Sequence, residues 1–506
     1  MGLAFFAWGL MAGCATSDAP VTAPSGAGGL AAVPPLGDAP QQLAPPRVWT
    51  SPAGRTIVDG TVDELGHVLP LDIRRERVTV EGRASPAPLG AAAIERLAGA
   101  GPFAETRLGP DDGHSENETS IDADGATVVA GWNQFTDSSV VMGVGRSADG
   151  GDTWSWQTFD GHSAMSDPVV VAAGGGRWYF AYIARGGATG GDFDVFVRRS
   201  LDDGVTWQAP VAVTANATFD DKPWMHARGD EVLVAWADFS FSPAKVRAAR
   251  SLDGGLTFGA DTVLADNSVG GNGASAFIAP DGAYHVVWRD SFQESLWISS
   301  STNQGTTWSA DTAFASMSPL PTPMPAGYRI VNLPSLTAGA DGRMVVAWND
   351  RVFGDADIVA VHSSDGGDTW SAPVRVVDDA SGRAQFFPWL DLAPNGDVHA
   401  VWYDQRHDGS SLDVYLSSST DGGATWGPDV RVTGASFVPV LPSEPGAAAF
   451  IGDYNGIAAT ATRVLPFYQD ARGGTQDVWV AVVPTGGIFA DGFESGDTGR
   501  WSSVGR

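Results

Sequence analysis

One eight-residue turn, Ser-x-Asp-x-Gly-x-Thr-Trp, recurs six times in this chain, and that repetition limits the fold more than any other feature. The copies begin at Ser147, Ser200, Ser251, Ser301, Ser363 and Ser419. The third ends in Phe258 instead of tryptophan, and the fourth carries Asn303 in place of the aspartate. Each position has a physical task. The Asp side chain accepts N–H bonds inside the turn. The glycine supplies a positive φ that a side chain would resist. The threonine returns the chain to strand geometry, and the aromatic ring packs between neighbouring sheets. The copies are spaced about 50 to 60 residues apart, the period of a four-stranded repeat unit.

A second element precedes each turn: an apolar strand ending in an aromatic residue. These strands are Thr127 to Trp132, Trp178 to Tyr182, Val232 to Trp236, Tyr284 to Trp288, Met344 to Trp348 and Val398 to Trp402. A seventh, Arg463 to Tyr468, has no such turn after it. Before many of them lies a short strand and a glycine turn, as at Asp124-Gly125, Asp281-Gly282, Asp341-Gly342 and Asn395-Gly396. After the aromatic comes a polar loop, then a third strand that opens at Asp194, Asp357, Asp413 or Asp477. Each unit therefore reads as a four-stranded antiparallel meander, the blade of an all-β propeller.

The seventh unit lacks its fourth strand. Gly101-Pro102-Phe103-Ala104-Glu105-Thr106-Arg107-Leu108 looks like Gly427 to Val432, the fourth strand of unit six. Pairing of this N-terminal segment with the strand beginning at Asp477 would close the ring and remove its free edges. The expectation is seven blades over residues 101–484, with six as the alternative.

Composition agrees with many short strands and tight turns: 64 glycines, 19 tryptophans and 18% charged residues. The net charge of −29 makes nucleic acid an unlikely partner. The single cysteine, Cys14, excludes an intrachain disulfide. It follows a short apolar run inside Met11-Ala12-Gly13-Cys14, a pattern similar to a bacterial lipobox, although no basic residue precedes Arg47. The expectation is an exported protein, either a cell-envelope lipoprotein touching the membrane only through lipid on Cys14, or a secreted one. Residues 1–14 form this signal segment, and 15–47, rich in Ala, Pro, Gly and Ser, a disordered tether. Residues 48–100 are poorly defined, with Val78 to Val80 a candidate strand and Ala91 to Ala98 a candidate helix. Residues 485–506 form a C-terminal tail resembling a short tag of exported bacterial proteins.

The turn is the Asp-box, or bacterial neuraminidase repeat, and residues 101–484 resemble the sialidase superfamily. The resemblance implies that the boxes are structural and lie on the periphery. It places a ligand at the axis, on the face bearing the loops between second and third strands and those between blades. That face carries Glu118, Asp167, Asp221-Lys222, Arg329 and Asn332 at the lead-ins to the first strands. Asp238, Arg289-Asp290, Asp350-Arg351, Asp404-Gln405-Arg406 and Asp470-Ala471-Arg472 follow the second strands. The repeated Trp-x-Asp pattern reads as a loop brace. Asp453 and Tyr454 occur once, in the Gly-flanked segment opening unit seven, and are the leading individual candidates.

By resemblance to sialidases, Tyr454, Asp453, Glu118 and Asp221 are expected catalytic residues. Arg351, Arg406, Arg472 and Asp404 are expected to bind substrate, the three arginines gripping a sugar carboxylate. The family's first-blade Arg-Ile-Pro motif is missing; its nearest counterpart is Tyr328-Arg329-Ile330, before unit five. The expected activity is glycoside hydrolysis of terminal sugars on a glycan or glycoconjugate. The alternative is a noncatalytic surface propeller that binds glycan or protein. No cofactor is required by either reading, and calcium held by axial carboxylates is compatible with both.

Overall fold

The computed structural model describes residues 103–185, 193–214, 219–320, 329–339, 341–439 and 450–485, together with the backbone of Val48–Thr50 and Thr56–Val58. Cys14, the tail beyond 485 and the candidate elements at 78–80 and 91–98 lie outside the described residues. The chain divides into two compact units, Met1–Leu89 and Gly90–Arg506. In the first, Val48–Thr50 pairs antiparallel with Thr56–Val58, a hairpin for which the sequence reading had no counterpart.

The second unit is a seven-bladed propeller of four-stranded antiparallel sheets. Blade one runs Glu116–Asp124, Thr127–Phe135, Val140–Ser147 and Ser155–Phe159, in that order across the sheet. Blades two to six repeat the meander, opening at Ala164, Asp220, Asn272, Ser335 and Gln385. Blade seven takes Gly456–Ala459, Arg463–Asp470 and Asp477–Pro484 from the C-terminal end. Its fourth strand is Ala104–Leu108, with Ala104 opposite Val482 and Leu108 opposite Val478. The ring thus closes as expected, by joining strands from the two ends of the domain.

The six turns owe their sequence to a closed set of hydrogen bonds. In the first, Ser147 Oγ donates to Asp149 Oδ1 at 2.8 Å and accepts from Gly151 N at 2.9 Å. Thr153 donates through its N–H to Asp149 Oδ1 at 2.8 Å and through Oγ1 to Oδ2 at 2.6 Å. Trp154 Nε1 donates to Gly151 O at 3.0 Å. Asn303 keeps the pattern by donating from Nδ2 to Thr307 Oγ1 at 2.9 Å. The threonine bonds hold the Asp202, Asp253 and Asp365 carboxyls down to about 2. The glycine has a packing role besides its φ of +95° at Gly151. A Cβ there would meet Leu465 of blade seven at 2.9 Å, and one at Gly204 would meet Val129 of blade one at 2.8 Å.

The cores lie between blades. The aromatic residues that end the second strands, Trp132, Tyr182, Trp236, Trp288, Trp348, Trp402 and Tyr468, are all fully buried. At the closing seam Trp132, Trp154, Leu465, Phe467 and Val480 share one apolar cluster. Trp132 meets Phe467 edge-on at 6.2 Å. This is the pairing of large rings with small or branched residues that fills a wedge between twisted sheets.

The same seam buries a carboxyl that is best neutral. Glu116 is fully buried, accepts from Gln134 Nε2 at 3.0 Å, and faces Asp477 of blade seven. Burial, reinforced by the Asp477 charge, pushes it up to about 9. The folded protein therefore holds a proton there that the unfolded chain gives up above about pH 4.5. Stability then falls as pH rises across that window, because the native state is the better proton binder. A neutral glutamine has no such loss. Glu116→Gln should leave the thermal midpoint unchanged near pH 5 and raise stability at pH 9 by a few kcal/mol, roughly 1.4 per pKa unit displaced. Parallel melts of both proteins from pH 5 to 9 check this; a midpoint difference that stays constant with pH would refute it.

Candidate functional site

The first strand of a blade opens with a repeated irregularity. Ser120, Val169, Trp224, Ser275, Ser335, Trp389 and Gly456 each pair with the residue just before their blade's buried aromatic. In blades one, two, three, four and six the register slips just before this point, with one extra residue on the first strand. Such a bulge re-aims a side chain. Counting back two places gives Glu118, Asp167, Lys222, Gly273, Leu333, Phe387 and Tyr454. Four of these non-glycine residues have left-handed backbones: Glu118 (φ 53°), Asp167 (57°), Lys222 (49°) and Phe387 (55°). Each such conformation costs about 1–2 kcal/mol, and strain of this kind gathers where a site is preorganised. Residues one place earlier are Asn117, Ser166, Asp221, Asn272, Asn332, Phe386 and Asp453.

These positions meet at the axis, because they touch across blades that are not neighbours. Lys222 of blade three is paired with Asp453 of blade seven and lies 3.8 Å from Asp167 of blade two. Arg329, leading into blade five, sets one guanidinium nitrogen 2.5 Å from both Asp453 oxygens. Tyr454 donates its hydroxyl to Asp167 Oδ1 at 3.3 Å. Glu118 Oε2 accepts from Asn133 Nδ2 at 2.6 Å and from Ser166 Oγ at 3.2 Å. Beside the cluster, the rings of Trp224 and Trp389 approach to 4.6 Å, and Tyr454 lies 5.7 Å from Trp389.

The electrostatics follow from crowding charges in a dry place. Glu118, Asp167, Asp221, Lys222, Arg329 and Asp453 are all under 9% exposed. Burial works against the charge on Asp453, yet Arg329 and Lys222 hold its carboxyl below the ordinary range. Glu118 and Asp167 are pushed the other way. Burial, offset partly by Lys222, puts Glu118 up to about 7. Burial and then the Glu118 charge raise Asp167 well above a normal aspartate. Two buried carboxyls that repel each other share protons, so they titrate as a pair. Asp167 accepts from the Tyr454 hydroxyl and lies near Lys222, whereas Glu118 takes both of its bonds on Oε2 and its Oε1 is buried with no hydrogen-bond partner among the described residues. Burial and the surrounding carboxylates keep the Tyr454 phenol neutral.

Of the residues expected from sequence, the structure brings Glu118, Asp221, Asp453 and Tyr454 into this cluster. Within it the Tyr454 phenol donates to Asp167. The remaining four lie elsewhere. Arg406 is bound by Asp404 at 2.7 Å and Asp429 at 2.6 Å and covers the Tyr415 ring. Arg472 is bound by Glu105 at 2.7 Å and by Asp470, and covers Trp479. Arg351 is exposed. Among the described residues the three arginines share no partner. For Arg406 and Arg472 the reason is local: an arginine two places after a blade aspartate folds back onto it. Asp404 accepts from the Trp402 indole at 3.0 Å and from Arg406 N at 2.7 Å. Asp350 is held the same way, by Trp348 and Val352 N. The Trp-x-Asp brace read from the sequence is therefore present.

Asp167, Lys222 and Arg329 join the cluster although no role was expected of them beyond a place on this face. Among the described residues no three His, Cys, Asp or Glu side chains converge as metal ligands.

Residues 126–343 match a family model described as a BNR repeat-like domain. No curated protein matches the chain. Among solved structures, a Dyadobacter fermentans protein of unknown function is 16% identical, with 63% of this chain and 97% of that one covered and a TM-score of 0.45. A Hadza microbial sialidase is 14% identical over 71% of this chain and 76% of its own, with a TM-score of 0.42. A Penicillium chrysogenum α-L-arabinanase is 12% identical over 78% and 99%, with a TM-score of 0.43. Six bonded turns and seven sheets closed into a ring make this chain a seven-bladed β-propeller, within which residues 126–343 match the BNR repeat-like model.

Proposed function

We propose that the axial cluster is a glycosidase-type site acting on terminal sugars of glycans. One observation carries the reading: two buried carboxyls, Glu118 and Asp167, stand in one cluster, both pushed up by burial and able to share a proton, with Glu118 poised near neutral pH. Glycoside cleavage needs a division of labour, one carboxyl to protonate the leaving oxygen and one to meet the positive charge that develops on the sugar. Glu118 is the proton donor in this reading. Asp167 is the opposing carboxylate, steadied by Tyr454 and Lys222. Asp453 positions both cations and stays charged throughout.

A second reading, a noncatalytic binding propeller, draws on the depth of burial and on the mutual pairing of Lys222, Arg329 and Asp453. A panel of fluorogenic glycosides run beside a glycan-binding array separates the two. Turnover that falls by about 100-fold in Tyr454→Phe, with the melting temperature kept, supports the first, since one lost hydrogen bond to a reacting group has that order of effect. Binding on the array with no turnover of any glycoside supports the second.

A further inference from the structure

The axial charges are already matched, and this bears on which sugar the site accepts. Both cations of the cluster, Lys222 and Arg329, pair with Asp453, and Lys222 also lies 3.8 Å from Asp167. Asp221, Asp167 and Glu118 add three more carboxyls to the same buried space. A site of four carboxyls and two cations has no cationic surplus. A further anion entering it would be repelled at low effective dielectric, where each unfavourable contact costs far more than in water.

The polar atoms left open in the ring match a different ligand. Glu118 Oε1, Asn455 Oδ1, both amide atoms of Asn332 and the amide nitrogens of Asn117 and Asn272 are buried with no hydrogen-bond partner among the described residues. Asn455 donates its own amide to Phe387 O at 3.2 Å, so its free atom is the oxygen. These atoms include both donors and acceptors. A carboxylate offers only acceptors and would leave the amide oxygens of Asn332 and Asn455 unsatisfied. A hydroxyl both donates and accepts, and serves either kind of atom. Trp224, whose indole meets the buried Trp389 across the axis at 4.6 Å, is partly exposed and offers apolar surface of the sort that receives the C–H face of a sugar ring.

We infer that the axial site takes an uncharged, hydroxyl-bearing sugar and excludes acidic ones, and that Asp453 is the residue that enforces the choice. The inference rests on the glycosidase-type reading above and narrows it. Asp453 acts here as a specificity residue by occupying the cations that would otherwise receive a sugar carboxylate. This is specificity by an opposing element built into the site.

The test measures binding of methyl glycosides to the full chain by titration calorimetry. Neutral ligands are the methyl glycosides of arabinose, galactose and glucose; acidic ligands are those of glucuronic and sialic acid. The expected result is that at least one neutral glycoside binds at least tenfold more tightly than either acidic one. Asp453→Asn should then gain tenfold or more for an acidic glycoside, because Arg329 and Lys222 are released. Wild-type preference for an acidic glycoside would overturn this inference and leave the glycosidase-type reading standing. Absence of binding by every glycoside would overturn both. The wild-type comparison decides the matter even where Asp453→Asn does not fold.

Discussion

Glu105→Ala should be the most damaging single substitution outside the axis, lowering stability by about 3–5 kcal/mol, the range found when one partner of a buried ion pair is removed. Glu105 lies on the strand that closes blade seven and is 1% exposed. Its two oxygens accept from Arg472 at 2.7 and 2.9 Å and from the Tyr468 hydroxyl, and Gly434 N donates to it at 3.1 Å. Truncation leaves the Arg472 guanidinium and the Tyr468 phenol facing a cavity. It also weakens the joining of the N-terminal strand to the C-terminal sheet, to which the Arg107–Asp477 pair and the packing of Leu108 on Val478 and Val480 also contribute. The control is Asp341→Ala, which breaks the Arg343–Asp341 pair at 45% and 49% exposure. That change should stay within about 0.5 kcal/mol, because an exposed pair is screened and mobile. Urea midpoints of the two variants that fall together would show that the closure carries no special stability. A full release of the strand would expose the edge of Asp477–Pro484, so self-association of Glu105→Ala under mild denaturant is the accompanying signature.

The closure was legible in the sequence because it obeys the repeat. Once six copies of one unit were aligned, a seventh without a fourth strand demanded a partner, and Ala104–Leu108 was the remaining segment of the right type. The brace formed by Asp350 and Asp404 was legible for the same reason. The axial cluster was legible only in part. Glu118, Asp221, Asp453 and Tyr454 stand at lead-ins to first strands and could be placed on the right face. Lys222, Asp167 and Arg329 were on that face too, yet nothing in local sequence says which lead-in side chains turn inward. A usable signal exists. Asp167-Pro168, Lys222-Pro223, Leu333-Pro334 and Phe387-Pro388 stand at equivalent positions in four blades. A proline tolerates the bulge because it has no N–H to leave unbonded. Read as a repeat, these dipeptides mark the ring of inward positions directly. The arginines failed to gather for the opposite reason. Arg406 and Arg472 each have a partner two residues away, in Asp404 and Asp470, and a local ion pair wins over a distant site unless that site offers more, while Arg351, next to Asp350, is exposed.

Glu118→Gln should reduce glycoside turnover by about 100- to 10,000-fold at pH 6, the range supplied by a positioned general acid. The side chain keeps its shape and its acceptor for Asn133, so the loss isolates the proton. The pH profile is the sharper test. Glu118 is pushed up to about 7 by burial, and the reaction needs its protonated form. Wild-type kcat/KM should therefore be level on the acid side of pH 7 and fall about tenfold per unit above it, as the acid empties. Because Glu118 and Asp167 repel each other, the inflection belongs to the pair. Removing one member must then move the other. In Glu118→Gln the residual activity should lose the break near pH 7, and in Asp167→Asn the break should shift to lower pH, since the neighbouring negative charge that helps hold the Glu118 proton is gone. A profile unchanged in Asp167→Asn would mean that the two carboxyls do not act as a pair, whatever the fall in rate.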